Sequence, residues 1–194
     1  MTSYTTIRDA TRSHCHFWEC PVDVELYPVD SSYTNPNAGD FVAIDAEGEV
    51  NRAADNPTSR PFGLTLGVVP NSEVYPAFGG HYNNRVLVGV ITSNTELVLP
   101  FINAGAAAAD GVGVGEYLPA TKTNVPPPGT QMGLGYNATT RRWGIRVEFD
   151  GTNWVSPTGT NQRVEIVRYV KGHLYNSPEA TGEGDYLFAL VRVL

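Results

Sequence analysis

Short hydrophobic runs, a high density of turn residues and almost no helical periodicity predict a mainly β chain. The expected architecture is a compact, β-sandwich- or barrel-like body of two β modules, preceded by an extended N-terminal arm. Of the 194 residues, 20 are Gly and 14 are Pro, which break the chain into strand-length pieces. Hydrophobic residues make up 41% and charged residues 17%, against about 25% charged in an average domain. That balance favours folding over disorder. A chain of this length buries about 70% of its unfolded surface on folding, enough for a core without metal or disulfide staples.

Residues 1–38 lack a sustained period and read as the arm. The stretch "SSYTNPNAG" is turn chemistry. Val22, Val24 and Leu26 alternate with Asp23 and Glu25, the period of a half-buried strand. With Phe17, Trp18 and Tyr27 they are too apolar to be left in water, so the arm is expected to find a partner surface, its own body or a neighbour.

Residues 39–102 form the expected first module. "FVAID" (Phe41 to Asp45) and "EVNRA" flank Asp45-Ala46-Glu47-Gly48, a type I turn pattern that predicts a hairpin. "FGLTLGVV" (Phe62 to Val69) follows. "RVLVGVIT" (Arg85 to Thr92) and "ELVLPFI" (Glu96 to Ile102) are read as a hairpin closed by Ser93, Asn94 and Thr95. The long loop from Pro70 to Asn84 carries Tyr75, Phe78 and Tyr82, expected as a plug or an interface patch.

Residues 103–194 form the expected second module. "NAGAAAAD" (Asn103 to Asp110) is read as two helical turns at most. "GVGVGEYLPA" (Gly111 to Ala120) and "TQMGLGY" (Thr130 to Tyr136) are read as strands. "WGIRVEFD" (Trp143 to Asp150) turns at Asp150-Gly151 into "TNWVSP". "RVEIVRYV" (Arg163 to Val170) and "DYLFALVRVL" (Asp185 to Leu194) close the chain. Val88 to Pro100 aligns without gaps on Ile145 to Pro157, a faint internal repeat set against the general likeness of any two hairpins.

The net charge of −7 gives no general attraction for nucleic acid or anionic lipid. No apolar run approaches the roughly 18 residues of a membrane span, and no stretch reads as a signal peptide. Arg141, Arg142 and Arg146 form one basic cluster, read as a solvated or paired strand edge in preference to a phosphate site. "SHCHFWEC" places His14, Cys15, His16, Glu19 and Cys20 together. These are zinc-ligand types, but a structural zinc site draws on two separated segments, and His81 and His173 stand alone. No metal or cofactor is expected. A Cys-His nucleophile pair also fails, because neighbours on a strand point to opposite faces. Glu96, Glu116, Glu148 and Glu165 are ordinary strand glutamates on wet faces. Glycines 111, 113, 115, 133 and 135 are followed by strand or turn, not by the helix a dinucleotide site needs. No catalytic residues are assigned and no enzyme activity is expected.

The segment Ala38 to Gly67 resembles the capsid decoration, or cement, proteins of tailed bacteriophages. It has a Gly-Asp-x-Val entry (Gly39, Asp40, Val42), an Asp-x-x-Gly hairpin (Asp45, Gly48) and a Pro-x-Gly-aliphatic strand (Pro61, Gly63, Leu64). Ala106 to Ala120 is similar in flavour. The resemblance implies a structural virion protein, made in the host cytoplasm and standing on the capsid surface. It implies a homotrimer whose partners are the major capsid protein and itself, with neither nucleic acid nor membrane involved. The candidate contact residues are Phe17, Trp18, Val22, Val24, Leu26, Tyr27, Tyr75, Phe78 and Tyr82. The competing readings are a tail or baseplate β protein, a carbohydrate-binding β-sandwich stacking sugars on Trp143, Trp154 or the Tyr75–Tyr82 loop, and an enzyme using glutamate pairs or the His14–Cys20 cluster.

Overall fold

The computed structural model describes residues 15–18, 23–34, 36–69, 85–170 and 186–194. Val22, Tyr75, Phe78 and Tyr82 lie outside them, as do His14, Glu19, Cys20, His81 and His173. The chain is all β, and no helix occurs among the described residues. Its strands are β1 (His16–Phe17), β2 (Val24–Pro28), β3 (Phe41–Ile44), β4 (Val50–Arg52), β5 (Gly63–Val69), β6 (Arg85–Val90), β7 (Glu96–Asn103), β8 (Gln131–Met132), β9 (Leu134–Asn137), β10 (Arg142–Phe149), β11 (Trp154–Val155), β12 (Val164–Val170) and β13 (Phe188–Val193).

They fall into two compact units. Among the described residues, the first holds 23–34, 36–53, 61–69 and 85–92. The second holds 15–18, 54–60, 93–170 and 186–194. This partition differs from a cut at residue 102. β7, read as the end of the first module, pairs with β10 and β13 and so belongs to the second unit. It therefore makes no hairpin with β6, which lies in the other sheet. Burial explains why: seven of the eight residues of β7 are buried, the pattern of a strand covered on both faces and not of a hairpin's half-wet arm.

The first unit is an antiparallel sheet in the order β2-β6-β5-β3-β4. Its two outer strands meet again: Val29 bridges Val50 in parallel, and the Asp30 amide donates to the Val50 carbonyl at 3.1 Å. Such closure removes exposed backbone edge. Val42, Val50, Val86, Val88 and Tyr33 fill the interior, with Tyr27, Val29 and Phe62 packed against them. Of the two partner surfaces expected for the arm, its own body or a neighbour, residues 24–28 take the first, since β2 pairs with β6 along its whole length. The hairpin at Asp45–Gly48 forms as expected. The Gly48 amide donates to the Asp45 carbonyl at 3.3 Å, and Asp45 Oδ1 accepts the Glu47 and Glu49 amides at 3.0 and 2.8 Å.

The second unit is also a ring. Its path runs β10-β7-β13-β12-β8. β9, separated from β8 by Gly133 alone, pairs back onto β10. β7 and β10 run parallel, and β1 pairs with the other end of β7 through His16↔Val98 and Phe17↔Leu97. Trp143, Trp154, Phe101, Leu97, Leu99, Ile145 and Met132 are among its fully buried side chains.

Two local expectations fail. Residues 103–110 make no helix, because Asn103 ends β7 and its side chain takes over local bonding. Asn103 Oδ1 accepts the Gly105 amide, and Nδ2 donates to the Ala107 and Val112 carbonyls. Gly111 to Ala120 makes isolated bridges in place of a strand. Positive φ at Asp110, Gly111 and Gly115 turns the chain too often for a ladder. The repeat has no structural counterpart either. Val88 to Pro100 spans strands of two different sheets, whereas Ile145 to Val155 folds into the β10–β11 hairpin.

Candidate functional site

The residues that carry the resemblance are structural posts of the first unit. Gly39 has φ +83°, a conformation that favours glycine, and its amide donates to the Thr65 carbonyl at 2.7 Å. That turn delivers Asp40 into a fully buried position. Asp40 Oδ2 accepts the Tyr33 hydroxyl at 2.8 Å and the Asn37 amide at 3.1 Å, and lies 3.5 Å from Arg52 Nε. The Arg52 guanidinium sits over the Tyr33 ring, 5.0 Å from its centroid. A buried charge persists only when paired and hydrogen-bonded, and this set does both. Gly63 is fixed by close approach: a Cβ there would lie 2.3 Å from Val88 Cγ1 and 2.7 Å from the Gly89 carbonyl oxygen.

Of the contact residues read from the sequence, Trp18 and Val24 are exposed, at 37% and 44%. Phe17, Leu26 and Tyr27 are half-buried. Tyr27 packs edge-on against Phe62 at 5.0 Å, and its hydroxyl donates to Glu25 at 2.9 Å. Burial, then the neighbouring Glu25, raises the Tyr27 phenol above its ordinary range. Trp18 is held by the Arg168 guanidinium 4.9 Å from its ring centroid, and its amide donates to the Glu96 carbonyl at 3.0 Å. Ile44, Val114 and Leu194 add three exposed apolar side chains that periodicity did not single out.

The other candidates resolve into packing. Cys15 is buried, and its thiol donates to the Trp143 carbonyl at 3.4 Å. Trp143 and Trp154 are buried against Tyr136 and Phe149, with ring centroids 5.0 and 5.3 Å apart. Neither indole face is open to stack a sugar. Among the glutamates, Glu96 lies 3.7 Å from Arg192 and Glu116 accepts the Gly113 amide at 2.9 Å. The basic cluster is divided: Arg142 sits over the Tyr117 ring at 5.0 Å, while Arg146 binds Asp55 at 2.6 Å.

Two features were invisible to spacing because their residues are remote in sequence. One is a shallow cleft of about 90 Å³ in the second unit, lined by Asp55, Arg146, Tyr136, Asn137, Asn103 and Val114 among others. The other is a trio of carboxylates, Asp30, Asp45 and Glu49, with ligand-type atoms within 4.8 Å of one another. Both aspartates already serve local turns. Asp30 is held below the usual carboxylate range by hydrogen bonds from the Ser32 side chain and backbone, and Asp45 caps its own hairpin.

No family model, no curated protein and no solved structure matches this chain.

Proposed function

We propose that this chain is a structural virion protein: a capsid decoration protein that binds the outer surface of an assembled head and stabilises the major capsid lattice. The observation that carries the reading is the placement of the motif residues. Gly39, Asp40, Val42, Asp45, Gly48, Gly63 and Leu64 lie together in the first unit, at its turns, its buried ion pair and its sheet core. In this chain those residues shape one β module, and that is the support the reading draws on. Exposed apolar side chains at Trp18, Val24 and Ile44 supply area that loses water on docking. In the proposed homotrimer, three linked contacts act at high effective concentration, so that modest single contacts add up to tight attachment.

The test is co-sedimentation with empty shells of the cognate major capsid protein. Removing residues 2–30 would take away β2 and confound binding with folding. Trp18→Ser and Val24→Lys leave every ladder intact. Each is expected to weaken shell binding at least tenfold, consistent with a contact worth about 1.4 kcal/mol or more, with little change in stability. Undiminished binding by both variants would reject both residues as shell contacts.

A further inference from the structure

The segment Ala54–Arg60 leaves β4 and returns to β5, both strands of the first unit, yet it belongs to the second. The hydrogen bonds of Asp55, Asn56, Pro57 and Thr58 run to residues of the second unit. Asp55 Oδ1 accepts the Tyr136 amide at 2.8 Å, and Oδ2 accepts from Arg146 Nη1 at 2.6 Å. Asn56 is read on all sides. Its amide donates to the Leu134 carbonyl at 3.2 Å and its Nδ2 to the Gly159 carbonyl at 3.2 Å. Its Oδ1 accepts the Asn161 amide at 2.8 Å, and its carbonyl accepts from Asn161 Nδ2 at 2.9 Å. Arg163 donates through Nε to the Pro57 carbonyl at 3.1 Å and through Nη2 to the Thr58 carbonyl. Asn56 adopts φ +53°, a left-handed conformation in which asparagine is among the better tolerated residues, and it aims these groups.

The ends of the segment are equally defined. Val42 of β3 pairs on one side with Arg52, the last residue of β4, and on the other with Gly63, the first of β5. Two adjacent strand spacings put those ends about 10 Å apart. The Ala53 amide donates to the Phe41 carbonyl at 2.8 Å, and the Phe62 amide to the Val42 carbonyl at 2.8 Å. A folded first unit thus closes the loop Ala53–Phe62 before the second unit grips it. When the first unit opens, that closure entropy must be met by the grip itself.

We propose that Ala54–Arg60 is a clasp that couples the folding of the two units: each is more stable when the other is folded, through this segment. The coupling needs no particular arrangement of the units, only the covalent ends on Val42 and the seat on Asn161, Arg163, Tyr136 and Arg146. It stands independently of the capsid reading. For a protein under load it makes local opening of either unit costlier.

A coupling free energy is reciprocal, so the test perturbs each unit and reads the other by native-state hydrogen exchange on the full chain. Asn56→Ala removes bonds made only in the second unit. It is expected to speed exchange at the Ala53 and Phe62 amides, whose acceptors lie in the first unit, by about tenfold for a loss of some 1.4 kcal/mol. Val42→Ala, a first-unit core change, is expected to speed exchange at the Tyr136 and Asn161 amides. A third variant inserts about twenty Gly/Ser residues between Ala53 and Ala54. It leaves every bonding group in place while tripling the loop, which should make the Tyr136 and Asn161 amides exchange about fivefold faster. It carries the test if either point variant fails to fold. Exchange that changes only in the perturbed unit, or seat amides unmoved by the insertion, would overturn the clasp.

Discussion

At the residue scale, one closely packed glycine of the first unit and two carboxylates of the second set expectations. At Gly63 a methyl group would overlap Val88 and the Gly89 backbone. Gly63→Ala should cost on the order of 1–3 kcal/mol, read as a lower urea midpoint with an unchanged slope. Asp110 is held below its ordinary pKa chiefly by the Lys122 ammonium at 2.6 Å, and Asp150 by the Asn153 and Thr152 amides. A carboxylate depressed in the folded state contributes stability above its unfolded pKa, near 3.9. That contribution is lost as pH falls through the folded value. Stability should therefore decline on acidification below about pH 4, and Asp110→Asn together with Asp150→Asn should flatten that part of the profile. A pH titration of thermal unfolding checks it, and an equally steep decline in the double variant would remove these two groups from the account. Much of this scale was legible in advance. The Asp45–Gly48 turn follows from local chemistry alone, whereas the partners of Asp40 and Asp55 lie up to 91 residues away and have no local signature.

At the element scale, alternation and turn residues located nearly every strand, but not which strands pair. "RVLVGVIT" and "ELVLPFI" look like a hairpin because they are adjacent, alike and joined by three residues. β7 instead crosses to the second sheet, where β10 runs parallel to it. The unbroken apolar run Leu97–Ile102 was the available sign, since a strand buried on both faces loses its alternation. The alanine run from 106 to 109 misled because helix propensity is a weak prior. Asn103 and Gly105 at its entry form turns that outcompete a nucleus of two turns. The central place of β7 sets an expectation. Its backbone is paired on one flank by β13 and on the other by β1 and β10, so its amides should exchange among the slowest in the chain. Leu99→Ala, at a fully buried position of β7, should cost about 2–5 kcal/mol, measurable by chemical denaturation.

At the scale of the whole molecule, the charges divide unevenly. Among the described residues Arg52 and Arg85 are the first unit's only cations, against seven carboxylates, while the second unit holds eight cations and seven carboxylates. Composition showed the net charge but not this partition, which depends on how the chain is shared between units. Like-charge repulsion is screened within about 8 Å at physiological ionic strength. Moderate salt should therefore slow exchange in the first unit more than in the second. The proposed adhesive role belongs to this scale too. It calls for a surface that sheds water against copies and a lattice, and for no bond made or broken. Its most direct test is light scattering of the purified protein, alone and mixed with empty shells of the cognate capsid protein. A trimer that pellets with the shells, and does so less well once Trp18 and Val24 are replaced, is the expected result; a monomer that stays in the supernatant at every shell concentration would contradict it.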